Sequence, residues 1–76
     1  MKFDRIEINP KILGGKPVFK NTRIPLYIIL QMIRDNISFD QIILEYPRLV
    51  IEDIKAALDY SMYLLDHPDE ETISLI

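Results

Sequence analysis

Apolar and polar residues alternate over residues 3–8 (Phe3, Asp4, Arg5, Ile6, Glu7, Ile8), the period-two pattern of a short strand with one face inward. Asn9-Pro10 ends it, because proline removes a ladder donor and biases the preceding residue toward an extended conformation. Residues 9–25 then hold both glycines and three of the five prolines, so no helix fits there. Gly14-Gly15 tolerates positive φ and predicts a tight reversal. Pro17-Val18-Phe19 predicts a second short strand, Lys20-Asn21 a turn, and Thr22-Arg23-Ile24 a third extended piece.

The period changes after Pro25, which suits the first position of a helix. Residues 26–34 predict helix one, in which only Gln31 and Arg34 are clearly polar. A helix apolar almost all round is buried on most sides. Helix one is therefore the central core element, half of a dimer interface, or both. Asp35-Asn36 closes it, asparagine being a residue that enters the left-handed region cheaply. Ser38 with Gln41 reads as a capping box, and Ile37 with Ile42 as a hydrophobic staple. Helix two runs over residues 39–46 and stops at Pro47. A turn of Arg48, Leu49 and Val50 leads into helix three, residues 51–65. There Ile51, Ile54, Leu58, Met62 and Leu65 recur at helical spacing, and Ala57, Tyr60 and Leu64 widen the stripe. His67-Pro68 ends it, the histidine in a solvated or capping role.

Two helices joined by a short turn after a third match the helix-turn-helix plan, and spacing alone leaves a plain three-helix bundle open. The predicted fold is mostly α. A short N-terminal β-hairpin region packs on a three-helix, helix-turn-helix-like domain, winged or homeodomain-like, over residues 1–68. Residues 69–76 form an acidic and apolar tail.

Composition sharpens this picture. A chain of 76 residues makes one domain and buries only about 60% of its unfolded surface. With 49% apolar residues it carries more Ile and Leu than one small core hides, so a homodimer or a tightly bound partner is expected. The absence of cysteine excludes a disulfide framework and thiolate zinc, and fits a reducing compartment. The N-terminus is charged where a signal peptide needs an apolar stretch, and the longest apolar run, residues 24–30, is too short to span a bilayer. A soluble, cytoplasmic protein is expected, with no membrane role.

Net charge is −3, but it is unevenly spread. Residues 1–34 hold seven Lys/Arg against two carboxylates, or +5; residues 35–76 hold two against ten, or −8. Such asymmetry suggests two surfaces with different partners. Helix three presents Glu52, Asp53, Asp59 and Asp66 against Lys55, so phosphates repel it before it reads a base edge. The basic N-terminal half is the better nucleic-acid surface. Lys11, Lys16, Lys20 and Arg23 lie on a loop whose glycine backbone approaches a phosphate closely; Arg48 and Lys55 complete the candidate contacts. The alternative is that these are solvated cations and that Arg23 pairs with an acidic helix. Gly14-Gly15-Lys16 lacks the upstream glycine and the following Ser/Thr of a nucleotide loop. No nucleophile or acid–base group with a supporting residue is apparent, so no enzyme activity, cofactor or metal is expected.

The runs INP-x-ILGGKPV-x-x-x-TRIP and SFDQIILEYPRLVIEDIKAAL resemble the small prokaryotic proteins catalogued as domain of unknown function four-three-three, over residues 5–60. These are regarded as helix-turn-helix, antitoxin-like proteins, often encoded beside a PIN-like ribonuclease. The resemblance implies a hairpin-decorated, dimeric helical domain that binds and neutralises such a toxin, with DNA-binding autoregulation. The rival reading is a homo-oligomeric protein-interaction or scaffold module without nucleic-acid binding. In the tail, Asp69, Glu70 and Glu71 precede Ile73, Leu75 and Ile76, which are expected to anchor on a basic groove of the partner, or else to be a frayed terminus. The family places a Ser or Thr where this chain has Val50 before helix three. Losing that cap costs about 1 kcal/mol and is expected to fray the helix start.

Overall fold

The computed structural model describes residues 3–68. Strand β1 (Ile6–Glu7) pairs antiparallel with β2 (Val18–Phe19), Ile6 opposite Phe19 and Glu7 opposite Val18. Three helices follow: α1 (Leu26–Arg34), α2 (Phe39–Glu45) and α3 (Ile51–Asp66). The architecture is the expected hairpin on three helices, with α2 and α3 in helix-turn-helix order. Among the described residues no helix is long and apolar enough to cross a membrane.

The strands are shorter than the alternation suggested, because Asp4 and Arg5 belong to a turn closed by Ile6 N–H donating to the Phe3 carbonyl. The connection between them is shaped by backbone and local polar bonds. The Asn9 side chain accepts from the Lys11 N–H, and the Gly15 and Lys16 N–H groups donate to Ile12 and Leu13. Leu13, Gly14 and Gly15 all have positive φ, at 49°, 66° and 88°. A Cβ on Gly14 would meet nothing within 4 Å, so conformation and not space demands the glycine there.

After β2 a second turn forms around Asn21, whose φ is 63°. Thr22 organises it: its hydroxyl donates to the Phe19 carbonyl at 2.6 Å and accepts from the Ile24 N–H at 3.1 Å. The third extended piece is reduced to a single bridge between Val18 and Pro25. Pro25 sits one position earlier than predicted, as the N-cap of α1.

Helix α1 ends in a Schellman arrangement. Asn36 (φ 65°) donates to Ile33, and Ile37 to Met32, so the last carbonyls find partners. Ser38 Oγ then accepts from the Gln41 N–H at 3.1 Å and opens α2. At α3 Val50 has no side-chain oxygen to offer, but its own N–H donates to Asp53 Oδ2 at 2.9 Å. Half of a capping box thus survives, and it offsets part of the expected fraying.

A single core joins the hairpin to all three helices: Ile6, Phe19, Leu26, Ile29, Ile42, Leu49, Ile54, Ala57 and Tyr60. On α3 the buried stripe is Ile54, Ala57 and Tyr60, with Leu64 packed against it. Met62 and Leu65, expected inside, are exposed; Leu65 keeps 82% of its surface. Two apolar stripes overlapped in the sequence, and the one containing Ala57 faces inward, as suits closely packed helices. Helix α1 also departs from expectation. Only Leu26 and Ile29 are buried, and Tyr27 is 45% exposed.

Candidate functional site

Among the described residues two concavities flank the hairpin, and each takes a different part of the basic residues. The first is an apolar groove of about 300 Å³ between α1 and α3. Pro17 contributes from the hairpin, Leu26, Tyr27 and Leu30 from α1, and Tyr60, Ser61 and Leu64 from α3. The Ser61 hydroxyl turns onto its own helix, donating to the Ala57 carbonyl at 2.8 Å, which leaves the wall apolar. Lys16 borders the groove with its ammonium 5.4 Å from the Tyr27 ring centre, within cation–π range. Its volume is small for a drug-sized ligand and suits one or two side chains of another protein.

The second concavity is an open cleft of about 450 Å³ lined by Glu7, Ile12, Asn21, Thr22, Arg23 and Arg48. Arg48, from the α2–α3 turn, reaches back 27 positions and donates from Nη2 to the Asn21 carbonyl at 3.0 Å. Arg23 has no hydrogen bond or ion pair among the described residues, so its expected pairing with an acidic helix is not found there. Lys11 and Lys20 are exposed next to Ile12 and Asn21 along the chain. Lys55 lies exposed on α3 and lines neither concavity. Ile73, Leu75 and Ile76 fall outside the described residues.

The acidic face of α3 is also redistributed. Asp53 does not stand free: its Oδ1 lies 3.1 Å from Arg5 Nη1, and its side chain is only 14% exposed. One carboxylate thereby caps α3 and ties it to the hairpin. Glu52, Asp59 and Asp66 remain exposed with Lys55. At the far end Phe3 meets Tyr60 and Tyr63 edge-on at 5.2 and 5.3 Å, and His67 stacks on Tyr63 at 4.1 Å. His67 also places Nδ1 3.0 Å from the Tyr63 carbonyl, where a donated proton would cap the helix. Arg34 is occupied by Asp35 at 3.0 Å, and that hydrogen bond and charge push its pKa further up. Among the described residues no three His, Asp or Glu side chains converge on a metal site.

Neither concavity was legible as such in the sequence. The groove's signal was the uninterrupted apolarity of α1, which a domain this small leaves partly uncovered. For the cleft the cations Arg23 and Arg48 were legible as candidates, but only folding brings them into one concavity.

Residues 6–61 match the family model described as protein of unknown function (DUF433). None of the curated proteins matches the chain. Among solved structures, the chain is similar to a DUF433 member protein from Anabaena variabilis, with a TM-score of 0.75 and 30% identity. That match covers 88% of this chain and 66% of the other, so this chain spans just under two thirds of that protein's length.

Proposed function

The chain belongs to the DUF433 family of proteins of unknown function, and from that premise we propose that it is a non-enzymatic, antitoxin-like protein that binds and neutralises a PIN-like ribonuclease. The observation that carries the reading is the uncovered apolar groove between α1 and α3. Tyr27 is 45% exposed beside it, and Met62 and Leu65 stand out from α3. Apolar surface left open on a small domain marks an interaction site. A groove between helices accepts the apolar anchors of a partner helix or loop. The exposed Asp59 and Asp66 on α3 favour a partner with a cationic rim, as befits a nuclease that handles RNA. Autoregulation through DNA belongs to the same reading, and the acidic surface of α3 directs any such contact to the basic half of the molecule.

The test is to identify a PIN-like nuclease gene next to the one for this chain and to titrate its purified product calorimetrically. Tyr27→Glu places a charge in the groove from a half-exposed position and should leave the melting temperature unchanged. It is expected to weaken nuclease binding at least 10-fold, the scale of losing one apolar anchor. Wild-type affinity in this variant, or no binding by the wild type, overturns the proposal. If instead the wild type ignores the nuclease and sediments as a dimer that Tyr27→Glu dissociates, the homo-oligomeric module is the correct reading.

A further inference from the structure

We infer that the cleft between the hairpin and the α2–α3 turn is a phosphodiester-binding site for the backbone of duplex DNA, with Arg23 and Arg48 as its two anchors. The inference rests on the DNA contact of the proposed function, for which it names the site, and it uses none of the apolar groove. It begins from convergence: two arginines 25 positions apart in sequence line one cleft, with Asn21 and Thr22 between them. Guanidinium groups offer planar, forked N–H donors matched to phosphate oxygens. Arg48 uses one of them on the Asn21 carbonyl, a bond that orients the side chain and leaves its other donors available. Arg23 has all of its donors uncommitted among the described residues.

Charge selects the ligand. Glu7 shares the cleft, so two cations and one carboxylate leave one net positive charge. That balance matches a singly charged phosphodiester better than a dianionic phosphomonoester. Lys11 and Lys20 are exposed and adjoin the lining residues Ile12 and Asn21 along the chain, so they add positive charge next to the cleft's own residues. Among the described residues neither Arg23 nor Arg48 forms an ion pair, and the other cations are placed differently. Arg5 and Arg34 are paired, Lys16 lies over Tyr27, and Lys55 stands among carboxylates. The cleft contacts backbone and not base edges, so the affinity it supplies is independent of sequence and falls steeply with salt.

Fluorescence anisotropy of a labelled 20-base-pair duplex, titrated with the protein alone between 25 and 150 mM salt, tests this without any nuclease present. Arg23→Ala and Arg48→Ala are each expected to weaken binding roughly 3- to 10-fold and to reduce the salt slope by about 0.9. Arg34→Ala, which removes the same charge from an arginine already paired with Asp35, should change neither. Arg23→Ala disturbs no bond in the described structure, so it remains informative even if Arg48→Ala loosens the Asn21 turn. No duplex binding by the wild type at 25 mM salt, or equal losses in the Arg34 and Arg23 variants, overturns the inference. So does the perturbation of Arg23 and Arg48 side-chain resonances by inorganic phosphate when the duplex leaves them unmoved.

Discussion

The hairpin half, residues 3–25, and the helical half, residues 26–68, are held by different physics. In the hairpin the chain is shaped by turns: three successive positive φ angles at residues 13–15, the Asn9 and Thr22 side chains bonding nearby backbone, and four residues in regular strands. Few of its side chains are buried, namely Ile6, Val18 and Phe19. In the helical half burial provides the stability, with seven of the ten buried core residues among those described, Leu49 in the α2–α3 turn included. The two halves also differ in charge, basic against acidic, and they meet at Phe19, at Arg5–Asp53 and at the Phe3 aromatic cluster. A chain this small cannot give each half its own core. It uses one core for both, and leaves the helical side with apolar surface and the hairpin side with charge.

The strongest challenge to this division is Phe19→Ala. Phe19 is fully buried in the shared cluster, so its loss should cost about 3–5 kcal/mol, a large share of the 5–15 kcal/mol that holds a small domain. Both halves should unfold together in a single denaturant transition. Helices that persist after the hairpin is lost would show the halves to be independent. Gly14→Ala isolates the turn chemistry. The left-handed conformation costs an L-residue about 1–2 kcal/mol, and the stiffer unfolded chain returns part of that, for a net loss of about 1 kcal/mol by thermal melting. A loss above about 3 kcal/mol would mean that packing, and not φ, governs the site. Val50→Thr bears only on the helical half. It supplies the missing oxygen beside the existing Asp53 bond and should gain about 0.5–1 kcal/mol, raising the melting temperature by a few degrees. No gain would indicate that Asp53 alone already saturates the helix start.

Much of the local structure was readable because its causes are local. Ser38 and Asn36 act within a few residues of themselves, and each does in the fold what its chemistry allows. The stripe on α3 was misjudged where two apolar faces competed, since periodicity identifies a helix and not the neighbour that covers it. Met62 and Leu65 consequently face outward, and the groove beside Leu64 has no counterpart in a linear reading.

The candidate sites divide along the same line. The basic loop was legible as composition, but its cations do not act as one patch. Lys16 turns to Tyr27, while Arg23 joins Arg48 across the cleft. Asp53 looked like a surface charge and serves as both cap and hairpin tether. Sequence by itself determined the element order, the turns and caps, the charge asymmetry and the family, because these depend on neighbours within about four residues or on composition. Only the tertiary structure decided which apolar face stayed open and which arginines share a cleft. Those outcomes depend on contacts between residues far apart in the chain, which side-chain burial and helix packing select.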